Sequence, residues 1–472
     1  KVSSNFTFKL FRAFLSNKSH LFELKNITRS INMLRSEDNN NIQIWKIHSQ
    51  PGMPAEILSG PESERKLLKF FNDKQIVYST LIEDFGLQMR ISGETLRYEL
   101  LDEWEDDILD RIEDFDLGKY HRYNTIIEYM KLIAKNNPKL AKYEIIGKTT
   151  ELRDLGILKL GYDPFNNQTV KPIFLIDGGI HAREWIAPAV ALNAINTFIN
   201  NQKWRSLLDH IDVHIIPVLN PDGYEYTWKK DSPYKTNNLC GSGGASLCYG
   251  VDPNRNFPYH WAESGTDPCP CSEVYPGPTP LSEPECAHLA SYMYKNINNL
   301  KAYLTLHAYG NLIIHGWNYA SRTYPNNIEE LKYLAEKMAK AIVLEGGGAP
   351  FKIGNEAAGG SDDYATSLGV KYSYTMELTS GRYGNLFGGF VFPERGIKKE
   401  ASKVLPGIYE LALQIFKEEK LLIVTIRKNS SIKEDEIFIF EKLHMGSVNM
   451  NLILIIFIYL ISSKDNKFYM EC

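Results

Sequence analysis

Cysteine is scarce: six thiols in 472 residues, at positions 240, 248, 269, 271, 286 and 472, are too few for a fold held together by disulfides. Charge of one sign is lacking as well. The 53 basic and 57 acidic side chains leave a net charge of −4, which gives no general field for holding polyphosphate and sets nucleic acid aside as a partner. The longest terminal apolar run, at 452–461, falls short of the ~17 residues that a spanning helix needs, so no membrane span is expected. No internal repeat of solenoid or propeller spacing is visible. What is present, 43% hydrophobic and 12% aromatic side chains, offsets the ordering entropy of a folded chain and excludes wholesale disorder. The length exceeds that of a usual single core, so more than one folding unit is expected.

Residues 1–37 carry a basic bias, with Glu23 the only acid against seven Lys and Arg in 1–36, and read as an unstructured N-terminal extension. From 38 to 97, short strand-like runs (IQIWKI, AEILSG, YSTLIED) surround a helical stretch at 62–71, in which Leu67, Leu68, Phe70 and Phe71 make one apolar face. This predicts a small α+β domain. A charge-dense connector at 98–114 is helical by propensity, and Arg90, Arg97 and Arg111 offer proteases a cut near it. From 115 to 420 the apolar runs PIFLID (172–177), VHIIPVLN (213–220), KAYLTLH (301–307) and KYSYTMEL (371–378) alternate with stretches of 3.6-residue rhythm such as WIAPAVALNAINTFIN. The pattern predicts an α/β fold with a mixed, mostly parallel central sheet and helices on both faces. The extension at 421–472 has no functional reading.

In such folds ligands bind beyond the carboxyl ends of the strands. Directly after PIFLID, the segment GGIHAREW sets His181 and Glu184 three residues apart, and His307 closes KAYLTLH. Two imidazoles and one carboxylate with a fourth position open make a catalytic zinc set, one ion per chain, whereas structural sites fill all four positions. The competing reading is bland: a histidine at a strand end is often only a hydrogen-bonded core residue. Glu377 ends the apolar run KYSYTMEL, where an acid costs stability unless it is paired or used. Its two readings are a salt-bridged structural residue, or a base that takes a proton from water attacking a carbonyl. The cysteines clustered between 240 and 271 read either as disulfides or as a small zinc knuckle.

The segments GGIHAREW, PVLNPDGYEYTW, YGVDPNRNF, LTLHAYG, GGSDDY and YSYTMEL occur in the order found in the zinc metallocarboxypeptidases of the pancreatic carboxypeptidase A/B type, which the chain resembles over about 115–418. SERKLLKFFNDKQIVYSTLIED gives 38–96 a looser resemblance to the activation prosegment of that family. The resemblance implies a secreted zymogen that becomes a zinc-dependent exopeptidase, cutting the C-terminal peptide bond of peptides and proteins after an activating protease has acted. A monomer is expected. By the same resemblance His181, Glu184 and His307 are the zinc ligands and Glu377 the general base on zinc-bound water. Asn254 and Arg255 grip the substrate's terminal carboxylate, Arg183 is a second carboxylate-binding or carbonyl-polarising arginine, and Tyr309 contacts substrate. Asp362 stands at the base of the pocket for the last side chain, where an acid accompanies preference for Lys or Arg. Cys248 and Cys271 match the family's disulfide, with Cys240 and Cys269 a candidate second pair.

Two positions depart from the family pattern, Lys235 and Asn355, and a third, Asn318, bears only on specificity. Lys235 stands where an arginine stabilises the oxyanion, and offers a point charge in place of a rigid fork. Asn355 replaces a tyrosine that closes over substrate. Asn318 stands where the pocket wall of a basic-specific member has a small residue. Lys235 and Asn355 raise the alternative function, a catalytically weakened or inactive peptide-binding homologue.

Overall fold

The computed structural model describes residues 8–33, 42–46, 52–84, 111–161, 171–228, 250–270, 272–320, 322–346, 351–354, 359–383, 386–387 and 389–429. One unit comprises 1–167 and 171–420; of the second, 168–170 and 421–472, only helical backbone up to Asn429 is described.

The first unit opens with a four-stranded antiparallel sheet carrying two helices: β1 (Lys9–Phe14), α1 (Lys18–Met33), β2 (Ile42–Lys46), β3 (Pro54–Ser59), α2 (Pro61–Asp73) and β4 (Val77–Ile82), in strand order β2-β3-β1-β4. Helix α2 buries Leu67, Phe70 and Phe71 and exposes Lys66 and Lys69, the amphipathic division its spacing predicts. These side chains pack with Phe11, Ala13, Leu24 and Ile57 in one core. The unstructured extension expected through residue 37 is thus corrected. Strand β1 lies between β3 and β4 and cannot be removed without splitting the sheet. The basic bias misleads because its charges are matched in space: Lys9 Nζ meets Glu64 of α2 at 2.9 Å and Arg12 Nη2 meets Glu56 of β3 at 2.7 Å. Residues 85–110, including Arg90, Arg97 and most of the connector, lie outside the described residues. Its described end is a short 3-10 turn, Ile112–Asp114, beside Arg111, whose side chain is 71% exposed.

The main domain follows with α3 (Tyr123–Asn136), β5 (Ala141–Lys148), β6 (Asp154–Leu160), β7 (Ile173–Gly178), α4 (Ile186–Asn200), α5 (Gln202–Arg205), β8 (Asp212–Ile216) and α6 (Pro221–Thr227). It continues with α7 (Pro284–Lys295), β9 (Leu300–Ala308), β10 (Leu312–His315), α8 (Ile328–Leu344), β11 (Lys352–Gly354), α9 (Ser361–Ser367), β12 (Tyr372–Leu378) and α10 (Ile397–Asn429). Strands β5 to β12 form one eight-stranded sheet in the order β11-β10-β12-β9-β7-β8-β6-β5. Its middle four, β12, β9, β7 and β8, are mutually parallel. They are the four apolar runs of the sequence, and their near-continuous hydrophobicity reflects burial on both faces. In β7, Phe174 and Ile176 join the core under α3, α4, α8 and α10, while Ile173 and Leu175 join the core under α7 and α9. The mixed, mostly parallel sheet with helices on both faces is the fold the sequence predicts, with antiparallel pairings at β10–β12, β8–β6 and β6–β5.

Candidate metal centre and substrate cleft

Strand β7 ends in two glycines for steric reasons. A Cβ on Gly178 would stand 3.1 Å from the carbonyl carbon of Ala187 and the carbonyl oxygen of Pro217, and Gly179 has φ +63°, a left-handed conformation that glycine adopts without penalty. The turn delivers His181 and then Glu184, whose N–H donates to His181 O at 3.2 Å. From the neighbouring strand, β9 brings His307 one residue before its end. His181 Nδ1 lies 2.8 Å from Glu184 Oε1, His307 Nδ1 lies 3.2 Å from Glu184 Oε2, and the two Nδ1 atoms face each other at 3.2 Å. Ligand atoms of all three residues fall within 4.8 Å of one another.

The donor set fits a zinc ion. His181 Nε2 meets Asp252 Oδ1 at 3.0 Å; donation of that N–H to the carboxylate leaves the Nδ1 lone pair to coordinate. His307 Nε2 is buried with no partner among the described residues. The electrostatics also call for a cation. Burial alone would pull His181 down, but the carboxylates of Glu184 and Asp252 outweigh it and push the imidazole up to about 10. Burial works against ionised Glu184 in turn, yet His181 and His307 hold it down to about 2. The parallel register of β9 and β12 places Glu377 directly beside His307.

Asp252 escapes the sequence reading, although a signal exists: in DPNRN it precedes Asn254 by two and accepts that residue's N–H at 3.0 Å, capping the turn. The turn fixes the next pair. Asn254 Oδ1 accepts from Ser361 N at 3.0 Å, and Arg255 donates to Asn254 O at 2.8 Å and to Gly265 O at 3.3 Å. A Cβ on Gly359 would meet Arg255 O at 2.6 Å, so glycine permits the two segments to touch. Asp362 follows, buried, accepting from Asn318 Nδ2 at 2.6 Å and Thr375 Oγ1 at 3.0 Å.

The N-terminal unit covers the rim of this region. Tyr309 donates its hydroxyl to Glu56 Oε2 at 2.8 Å while Glu56 Oε1 receives Arg12. The Trp45 and Phe390 rings meet edge to face at 5.6 Å, and Phe390 in turn lies 4.1 Å below the Arg183 guanidinium. Glu273, half-buried and 3.7 Å from Arg183, faces the backbone of Ile44, and loss of solvent around its carboxyl raises its pKa against the pull of Arg183. Glu56, Trp45, Phe390 and Glu273 were missed from sequence because each matters only through a contact between distant segments. Lys235, Asn355, Cys248 and Cys271 lie outside the described residues, as do Cys240 and Cys472. Cys269 is free among the described residues, and its candidate partner Cys240 lies outside them; Cys286 is also free, its thiol donating to Pro253 O at 3.3 Å.

A family model described as zinc carboxypeptidase matches residues 126–407, and one described as carboxypeptidase activation peptide matches 11–89. The chain belongs to the zinc carboxypeptidase family. The second match begins inside β1, in agreement with a prosegment that includes it. Carboxypeptidase B of Rattus norvegicus is 38% identical over 303 residues, 62% of this chain and 70% of that protein. Carboxypeptidase B of Astacus astacus is 37% identical over 307 residues, covering 63% of this chain and 97% of that one. Among solved structures, carboxypeptidase A from Helicoverpa armigera superposes with a TM-score of 0.73 at 25% identity, over 87% of this chain and 98% of its own. The crystal structure of thrombin-activatable fibrinolysis inhibitor gives 0.70 at 28% identity, over 87% and 100%. The chain is a metallocarboxypeptidase with an activation segment, and His181, Glu184 and His307 are its metal-binding triad. No described helix is long and apolar enough to cross a membrane.

Proposed function

We propose that the chain is a secreted, monomeric exopeptidase that removes single residues from the C-termini of peptides and proteins once a protease has released its N-terminal unit. The observation that carries this reading is the meeting of His181, Glu184 and His307 at the carboxyl ends of β7 and β9, with Glu377 in register beside them. When bound there, zinc supplies a Lewis acid that polarises the scissile carbonyl and makes water more acidic. Glu377 takes the proton from the attacking water and returns it to the amine nitrogen as the C–N bond breaks.

The other residues orient the substrate. Arg255, anchored by two backbone carbonyls, offers its remaining donors to the terminal carboxylate. Asn254 uses its oxygen on Ser361, which leaves its amide as a donor to the same carboxylate. Arg183 has Nε and Nη1 buried without a partner among the described residues, ready for a substrate carbonyl or a developing negative charge. Lys235 provides a further cation for the oxyanion, Tyr309 contacts the peptide, and Asn355 closes less surface over it than an aromatic residue does. Asp362 receives a basic terminal side chain. The bridge Cys248–Cys271 staples the intervening loop, for about 3 kcal/mol in the chain-entropy account. In the uncut chain, Glu56 occupies Tyr309 and Trp45 covers Phe390, so peptide is kept out.

The test is release of free amino acids from peptides ending in Lys, Leu or Glu, before and after trypsin, with and without a chelator. Release is expected only after trypsin and with zinc present, and loss of turnover in Glu377→Gln with zinc retained assigns the base. Zinc and peptide binding without turnover in the wild type would instead support the inactive homologue suggested by Lys235 and Asn355.

A further inference from the structure

The base of the cleft around Asp362 is more built than a single carboxylate. Asp363 accepts from the backbone N–H of Asn318 and of Tyr319 at 2.8–2.9 Å, which fixes the backbone that carries Asn318. The Asn318 side chain then donates Nδ2 to Asp362 Oδ2 at 2.6 Å. Thr375 Oγ1 donates to that same oxygen at 3.0 Å, and Asp363 N donates to Asp362 Oδ1 at 3.0 Å. Asn318 is 5% exposed and Asp362 3%. Donation from Nδ2 fixes which way the amide lies, and the oxygen left over, Asn318 Oδ1, is buried with no partner among the described residues.

The acceptor inventory is therefore unusual. Both lone pairs of Asp362 Oδ2 are engaged, one remains on Oδ1, and the two on Asn318 Oδ1 are open. A guanidinium reads a carboxylate through two parallel bonds to its two oxygens, and one of those oxygens is already filled. It also brings five N–H donors to three open acceptor positions. An ammonium has three donors on a freely rotating head, which match one charged and one neutral oxygen held side by side. We infer that Asn318 is a specificity-determining residue, pairing with Asp362 so that the pocket takes a C-terminal lysine in preference to arginine. This rests on the exopeptidase reading with Asp362 at the pocket base.

The experiment uses the full chain, zinc-loaded and trypsin-treated, with peptides identical except for a terminal Lys, Arg or Leu. The wild type is expected to favour Lys over Arg by about tenfold in kcat/KM, the step made by one or two unmatched buried donors. Asn318→Ser and Thr375→Val, which each free a lone pair of Oδ2, should bring that ratio toward one by gaining on Arg, while Lys stays ahead of Leu. Calorimetric binding of free L-lysine and L-arginine to the zinc-depleted protein should show the same order and the same loss of order. Arg turned over as fast as Lys by the wild type, or a Lys-to-Arg ratio unmoved in both variants, overturns the inference. Leu preferred over both basic residues overturns the assignment of Asp362 as well, and release of none of the three overturns the exopeptidase reading from which both follow.

Discussion

Asp252 orients His181 without touching the metal position, and its removal tests the geometry of the centre. The carboxylate is 2% exposed, meets His181 Nε2 at 3.0 Å and accepts Asn254 N at 3.0 Å. Burial alone would raise its pKa; Arg255 and His181 overcome that and hold it below the usual aspartate value, so the group is an anion at neutral pH. Asp252→Ala takes away the acceptor that selects the tautomer with Nδ1 unprotonated. Loss of such a partner typically weakens metal binding 10–100-fold, or about 1.4–2.8 kcal/mol. Asp252→Asn keeps an oxygen for the Nε2–H while giving up the charge, and should lose less. Competition titration against a fluorescent zinc chelator at neutral pH measures both, with circular dichroism as the check on folding. A folded Asp252→Ala variant that binds zinc within about twofold of the wild type would refute the reasoning, because His181 would then need no anchor at Nε2.

Two further outcomes are expected. Glu56→Gln breaks the Arg12 pair and weakens the acceptor for Tyr309; a hydrogen bond to a charged group contributes about 1.5–3 kcal/mol, so peptidase activity before trypsin should rise about tenfold or more, and unchanged activity of the uncut, zinc-loaded chain would show that this contact does not hold the prosegment. Glu285→Gln should flatten part of the pH dependence of stability. Burial first, then Asp222 and Glu283, raise Glu285 from 4.5 to about 7 in the folded state. Between those values the native state holds more protons than the unfolded one, so the group makes stability fall as pH rises, by on the order of 3 kcal/mol across the window. Urea midpoints at pH 5 and pH 8 check this: the wild type should lose relative to Glu285→Gln at the higher pH, and parallel curves would exclude the effect.

The parallel middle of the sheet was readable because β12, β9, β7 and β8 are buried on both faces and therefore apolar throughout. Strands β5 and β6 were not read, since AKYEIIGK and DLGILKL mix charge into their runs, and Glu144 is held between Lys142 and Lys159 only in three dimensions. The same reason hid β1, whose Lys9 and Arg12 find their acids on α2 and β3. The metal triad was legible because HxxE and a strand-end histidine are local signals. Asp252 was legible in principle from its turn, whereas Glu56 and Glu273 carry no local mark and appear only when the two domains meet.

The residues that define the cleft form a closed circuit of contacts. His181 bonds Asp252, Asp252 caps the turn of Asn254, and Asn254 holds Ser361. The next residue, Asp362, bonds Thr375 on β12, two positions before Glu377, whose register partner is His307; His307 reaches Glu184, and Glu184 returns to His181. Each group is held from two sides before any substrate arrives, so little freedom remains to be lost when one binds. Contacts of the N-terminal unit reach Tyr309, Phe390, Val391 and Glu273, outside that circuit. Covering the cleft in this way leaves the metal position intact, and zinc should bind the uncut and the trypsin-treated chain with equal affinity. A tenfold change on cutting would mean that the prosegment distorts the circuit instead of lying over it.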